Sequence, residues 1–583
     1  MYLFIPVFFA AICLAIAYRV YGGLLARLLH LDESAATPAV RMRDDVDYLP
    51  IEPKFLMSQH FSAIAAAGPI VGPILAGLMF GWLPALIWIL LGAIFIGGMH
   101  DFGSLVASIR HNARSIADVV REHMSRTSYL LFLVFIWIAL VYIVVAFTDI
   151  VAASFVGRQE LENGMVVTGG GVATSSLLYL ALPILMGLLL RYTKLTVNMA
   201  TVIFLPLVAL AIWVGQYIPF DLGAVLGVSE AQAHKTWDVI LLGYCFVASL
   251  VPMWLLLQPR GHLGGYFLYV ALGGGMLGLL FSGDTAQYPA FTGWTTATGD
   301  ALVPILFITI ACGACSGFHS IIASGTTSKQ LRNERDAKSV GYGAMLLEAL
   351  VAVVSLCCVM MLTKEGAAAF QGKPNFIYAH GLGSWLETLY VPASFAVPFG
   401  LLAFTTFVYD TLDVCTRLGR YILQELTGWN SEAGRWVATA ITAGAPLLFV
   451  MQQSVDASGN PIPTWKVFWG LFGASNQLLA ALSLLGVTVW LWRTYRKPWV
   501  LLMAGLPTVL MYIMSTWALL RFARAGFFDA GWNWTGLSTS PVPWVALILV
   551  GLALLVLLEA LRVFLSNTQP PRPDLRDTAP AAA

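Results

Sequence analysis

The chain has 583 residues, 58% of them hydrophobic and 11% charged, with a net charge of +1 at pH 7. Soluble globular proteins are roughly 45–50% apolar and about 25% charged, so much of this apolar surface has to face lipid. The balance of 32 basic and 31 acidic residues excludes a basic nucleic-acid-binding surface and an acidic disordered chain, and seven cysteines, mostly in apolar stretches, are no disulfide framework.

A helix that crosses a membrane needs about 20 mostly apolar residues. Fifteen stretches qualify: 3–26, 58–80, 83–109, 128–156, 174–190, 196–217, 237–257, 265–282, 301–325, 340–363, 391–416, 434–452, 466–492, 498–520 and 542–563. They predict an all-α polytopic membrane protein with about fifteen transmembrane helices. The first stretch has no positive leader, and Arg19 and Arg27 follow its apolar part, so it reads as a span rather than a signal peptide. Lys and Arg mark cytoplasmic loops. Twenty-four of the 32 fall in alternate loops on one side, among them Arg110, Arg114, Arg260, Lys329, Arg417, Arg420 and Arg493; seven fall on the other, and Arg19 lies inside the first span. The N-terminus is therefore expected outside and the C-terminus in the cytoplasm. The Gly-rich outer loop around Gly164–Gly171 is expected to be mobile.

The chain divides into an N-terminal span and loop (1–57), two repeat halves (58–300 and 301–565) and a disordered tail (566–583). The segment Phe61–Gly68 lies on Phe318–Gly325 at an offset of 257, with four identities in eight. Seven spans per half is an odd number, so the second copy would be inverted. Inverted repeats with interrupted helices mark secondary transporters.

Two stretches read as interrupted helices. In Gln59–Pro73, the residues Gly68, Pro69, Gly72 and Pro73 crowd together. Proline removes a backbone donor and glycine tolerates unwinding. Unwound backbone inside a membrane must line a cavity or be buried in protein, where it offers carbonyls to cations and amides to anions. The glycines alone would suit close helix packing, but the prolines do not. In Cys312–Lys329, small and hydroxyl residues dominate; Cys312 and Cys315 read as packing residues rather than a metal or redox pair. The candidate substrate-binding residues are His60, Gly68, Pro69, Gly72, Gly313, Gly317, Phe318, His319, Ser320 and Ser324.

Ionisable groups inside spans are costly and point to function. Asp149, Glu348, Asp410 and Asp413, with Thr406, are candidates for ion coupling. Asp410 and Asp413 share a helix face; ionised together they would repel, so one should hold a proton. The competing reading pairs them with Arg417 or Arg420. Asp101, near the cytoplasmic end, is expected to pair with Arg110 or Arg114. With no arginine read mid-span, helix-end amides after Gly68 and near Gly317 are left to bind an anionic substrate.

The motifs Leu31-Asp32, Thr37-Pro38-Ala39, Asp47-Tyr48, His60-Phe61 with Gly68–Pro73, Asp101-Phe102, Ser316–Gln330, Thr411-Leu412-Asp413 with Thr416-Arg417-Leu418 and Arg420-Tyr421, and Asn476–Ala480 spread over nearly the whole chain. With them the chain resembles the CstA carbon-starvation family of peptide and pyruvate permeases. Two positions depart from the family's usual pattern: Gln59-His60 stands for a His-His pair, and His100-Asp101-Phe102 for Gln-Asp-Phe. The resemblance implies symport of small peptides or pyruvate across a bacterial inner membrane during carbon starvation, by alternating access, driven by protons or sodium. It also implies a LeuT-like five-plus-five inverted-repeat core with extra helices, although the span count equally fits seven-plus-seven. Stretch 305–328 is similar to the broken sixth helix of that fold. Stretch 398–426 is similar to its eighth, which places a sodium site near Ala65, Thr405 and Thr406. The expected partners are a small solute, a coupling cation, lipid, and a small accessory protein or second copy. No cofactor, other metal or nucleic acid is expected. No phosphate-binding Gly-x-x-x-x-Gly-Lys-Ser/Thr loop and no intramembrane-protease Gly-x-Gly-Asp is present, so an enzyme is not expected; a channel or nutrient sensor is the alternative.

Overall fold

The computed structural model describes residues 1–44, 48–160, 166–370, 372–455, 461–529 and 531–565. The tail, Asp47 and part of the outer loop lie outside the described residues. The glycines at 169–171 start a helix, Gly169–Tyr192, rather than a loose loop, because the Thr168 hydroxyl caps it by accepting from the Gly171 amide at 3.4 Å.

Among the described residues twelve helices are long and apolar enough to cross a membrane, and one bent pair adds a thirteenth. The expected count of fifteen is therefore not reached. The stretch 237–257 is the helix Glu230–Leu250, whose first half carries Glu230, Lys235 and Asp238. The stretch 301–325 is interrupted. A buried helix that hydropathy did not reveal, Pro374–Thr388, packs on the 35-residue helix Ala393–Thr427; at 15 residues it is about 22 Å long, too short to span. Helix Thr464–Tyr495 is buried along its middle, from Leu471 to Leu491. Helix Phe4–Leu28 instead exposes Phe9, Ile12, Ile16 and Val20, an outward stripe at helical spacing.

The loops sort to two ends. At one end Arg110 reaches Glu334 at 2.7 Å, the Leu29 carbonyl at 2.7 Å and the Tyr495 hydroxyl at 3.0 Å, and the Leu49 amide donates to the Lys329 carbonyl. At the other, the Leu3 amide donates to Asp284 and the Gln287 amide to Met360. The basic loops thus converge on one end, as their alternation predicted. Arg260 is the exception. It is not a loop cation but lies in helix Leu257–Ser282 and is 0% exposed.

The first interrupted helix runs Pro53–Ile64 and Gly68–Phe80, bent by 46°. The break falls at Ala65–Ala67, ahead of the prolines, and the second segment passes through Pro73. Pro69 sits in that segment's first turn, where a missing N–H costs little. It also cannot donate to the Ala65 carbonyl four residues back, so the interruption settles there. The second interrupted helix runs Leu302–Thr309, breaks over 310–316, and resumes as Gly317–Ile322 and the wider-turn segment Ala323–Thr327. Ile322–Ser324, 257 residues beyond the first break, are helical, so the sequence offset does not align the two breaks.

Candidate functional site

The two interruptions pack against one another through glycine. A Cβ on Gly68 would lie 2.3 Å from the Cys312 sulfur, and one on Gly72 would lie 2.5 Å from the Thr309 carbonyl oxygen. A Cβ on Gly313 would meet Ala352 at 2.7 Å and Pro69 Cα at 3.7 Å, and one on Gly317 the Ala480 amide nitrogen at 2.3 Å. Close packing is therefore what Gly68 and Gly72 do, and Cys312 is the packing residue expected of it.

The backbone opened at the second break is completed by Asn476. Its Oδ1 accepts from the Phe318 amide at 3.0 Å, and its Nδ2 donates to Ser316 Oγ at 3.0 Å. The Phe318 amide, expected to be free for an anionic substrate, is thus occupied. Asn476→Ala strands this buried amide, which costs about 1–3 kcal/mol; a lowered unfolding temperature in detergent is the expected readout. Ser320 donates to the Gly317 carbonyl at 2.7 Å and pairs with Ser483 at 2.8 Å. Ser324 donates to the Ser320 carbonyl at 2.7 Å and accepts from the Ile116 amide at 3.1 Å. These hydroxyls fasten the second helix to its neighbours.

Two buried charge clusters flank the breaks. In the first, Asp101 accepts from His100 Nδ1 and His319 Nδ1, each at 2.7 Å, while His319 Nε2 lies 3.2 Å from Glu348. All four side chains are 0% exposed. The expected pairing of Asp101 with Arg110 or Arg114 does not form, because Asp101 points inward and Arg110 is held by Glu334. His60 Nδ1 meets Thr327 Oγ1 at 2.8 Å, so it touches the second interrupted helix.

In the second cluster Arg260 binds both Asp410 and Asp413. Its Nε lies 2.9 Å from Asp410 Oδ1, and its Nη1 donates to Asp413. The Tyr244 hydroxyl donates to Asp413 at 2.7 Å, and Ser62, at the end of the first half of the first interrupted helix, donates to Asp410. Arg260 thus takes the place expected of Arg417 or Arg420; Arg417 instead donates to the Ala248 and Val251 carbonyls. The expectation that no arginine reaches the site is overturned as well. Gly264 makes the approach possible, since a Cβ there would lie 2.5 Å from Ser62 Oγ and 2.6 Å from Asp410. Beside Asp410 is a cavity of about 20 Å³ lined also by His60, Ala63, Gly261 and Thr326, room for about one water.

The remaining candidates lie around this centre or apart from it. Thr405 donates to the Leu402 carbonyl of its own helix, and Thr406 is buried beside it. The hydroxyl that reaches the first interrupted helix near Ala65 is that of Thr411, which donates to Ala63 at 3.4 Å. Asp149 stands elsewhere, where it accepts from the Trp465 amide at 2.8 Å and lies 3.5 Å from the Lys235 ammonium.

Sequence reasoning missed Arg260, His100, Asn476 and Tyr244 as site residues. Arg260 had a signal, because it is a single cation followed by Gly261, Gly264 and Gly265 where the other loops on that side hold two or more. Asn476 was visible only as part of a motif.

A family model described as carbon starvation protein CstA matches residues 3–378 and 364–518. The chain is 31% identical to the pyruvate/proton symporter BtsT of Escherichia coli strain K12, over 86% of this chain and 79% of that one. It is 31% identical to the peptide transporter CstA of the same strain, over 89% and 82%, and to the peptide transporter CstA of Bacillus subtilis strain 168, over 88% and 90%.

Proposed function

Because the chain belongs to the carbon starvation protein CstA family, we propose that it is a secondary active transporter that imports pyruvate or small peptides together with a proton. The basic end then faces the cytoplasm of a bacterial inner membrane.

The observation that carries this reading is the arrangement of Ser62, Arg260, Asp410 and Asp413. One guanidinium against two carboxylates leaves a surplus negative charge where burial makes it costly. A proton on Asp410 removes that surplus and weakens two ties at once, the one from Ser62 on the first interrupted helix and the one to Arg260. Arg260 is then left with one carboxylate partner and a guanidinium edge free to bind the carboxylate of pyruvate or of a peptide terminus in the two-pronged geometry that such pairs favour. Proton and anionic substrate thereby require one another, which is what coupling means. The chain of Asp101, His319 and Glu348 supplies a second proton-accepting group on the other interrupted helix. One relative, BtsT of Escherichia coli, is a pyruvate/proton symporter, which supports the proton over sodium.

Uptake into proteoliposomes tests this. Under an imposed inward pH gradient, pyruvate or a dipeptide should accumulate above equilibrium, and a sodium gradient alone should not drive it. Asp410→Asn should lower gradient-driven accumulation by at least tenfold, or about 1.4 kcal/mol of coupling, while substrate exchange persists. Unchanged accumulation in that variant would remove Asp410 from the mechanism. Rapid equilibration without accumulation in the wild type would instead favour the channel.

A further inference from the structure

We propose that His111, Glu122 and His123 form a binding site for a transition-metal cation of the Zn²⁺ type at the basic end of the bundle. Bound there, the metal would staple the short helix Ile116–His123 to the end of helix Gly98–Arg110.

The two imidazoles face each other nitrogen to nitrogen, with His111 Nε2 2.8 Å from His123 Nε2. The Glu122 carboxylate places an oxygen within 4.8 Å of ligand atoms on both. His111 Nδ1 lies 2.6 Å from the Ala107 carbonyl. A carbonyl only accepts, so Nδ1 carries the ring proton of the neutral imidazole and Nε2 presents its lone pair. A backbone carbonyl holding the far N–H of a histidine is the usual support of a metal ligand. Both rings are buried, at 4% and 2% exposure, and Trp490 stands edge-on against His111 at 5.6 Å. Glu122 is exposed and leaves a way in. Arg493 donates to the His123 backbone carbonyl at 2.6 Å.

Two imidazoles and a carboxylate are a ligand set that suits Zn²⁺. Tetrahedral bonds of about 2.0–2.1 Å put two ligand nitrogens about 3.3 Å apart, so the rings need only part by about half an ångström. The bland alternative is one hydrogen bond from His123 to His111. It gives Glu122 no part. A comparable cluster, Asp149, His234 and Asp238, carries no such proposal: the Lys235 ammonium, 3.5 and 3.6 Å from the two carboxylates, already supplies the cation.

The location gives the staple a consequence. Ser108 donates to the Arg114 carbonyl at 2.7 Å and stands 2.9 Å from the Ser328 hydroxyl, and the Ile116 amide donates to Ser324. The residues between the two histidines are thus sewn to the far end of the second interrupted helix. They also border a cavity of about 390 Å³ between Ser115, Asp118, Ser324, Lys329 and Glu425. A bound metal would hold this lip closed and slow uptake. The metal site stands without the transport reading; the effect on uptake rests on it.

Protein purified without a polyhistidine tag and stripped with chelator should take up one Zn²⁺ per chain in competition with a chromophoric chelator. Co²⁺ in its place should give the visible bands of a tetrahedral site. His111→Gln and His123→Gln should each weaken Zn²⁺ binding by roughly 100-fold, and Glu122→Gln by roughly tenfold. Wild-type protein that binds no Zn²⁺ and gives no tetrahedral Co²⁺ spectrum overturns the proposal. Equal affinity in both histidine variants does so too. Because the wild-type spectrum is read on the unaltered chain, misfolding of a variant cannot mask the answer. Zn²⁺ that binds without slowing uptake would overturn the staple's gating role alone.

Discussion

Arg260→Met should destabilise the protein by about 3–5 kcal/mol, seen as loss of monodisperse protein or a large drop in unfolding temperature in detergent. The side chain is 0% exposed and faces both Asp410 and Asp413. Removing it leaves two carboxylates in a water-poor interior with only Ser62 and Tyr244 to satisfy them. Replacing all three charged groups at once, as R260M with D410N and D413N, should recover most of that loss, since burial then penalises no charge. The triple variant should fold and yet fail to accumulate substrate. A single Arg260→Met chain as stable as wild type would mean that the cluster is not held together by charge.

The second large effect concerns the glycine contact between the interruptions. Gly68→Ala should cost about 3 kcal/mol through overpacking, because its methyl would lie 2.3 Å from the sulfur and 2.4 Å from the Cβ of Cys312. Cys312→Gly removes both obstructing atoms and should restore stability in the double variant. Gly317→Ala should be at least as damaging, and no single substitution should rescue it. The atoms it meets are backbone, the Ala480 nitrogen at 2.3 Å and the Asn476 carbonyl oxygen at 2.5 Å. Thermal unfolding of the four variants decides between steric contact and simple glycine flexibility: flexibility predicts no rescue at Gly68.

The membrane class, the sorting of loops to two ends and both interrupted helices were legible in the chain, because hydropathy, Lys and Arg placement and Gly/Pro content report on solvent and backbone directly. Charge pairing was not. Asp101 shares a helix with Arg110, yet it turns inward to His319, 218 residues away. Arg260 looked like a loop cation, since a lone arginine after an apolar stretch has the same pattern whether it snorkels outward or folds inward. Only the glycines beside it, which let helix Leu257–Ser282 approach Ser62 and Asp410, decide between the two. The helix count suffered as well. Glu230–Leu250 carries Glu230, Lys235 and Asp238 in its first half and the stretch 301–325 is broken at 310–316, so neither is one uninterrupted apolar span.

At Gly72 the two interrupted helices meet backbone to backbone, and at Gly68 the small Cys312 side chain fills the contact. A shift of one residue along either axis, about 1.5 Å, would carry a Cβ into the space that each glycine leaves. The pair is consequently keyed, like cogs with meshed teeth, and travels as one body. Any swing between outward and inward states therefore bends at Ala65–Ala67 and at 310–316, or pivots the joined pair against Ala393–Thr427 and Thr464–Tyr495. The charge ties from Ser62 and His319 are the latches such a pivot would have to undo.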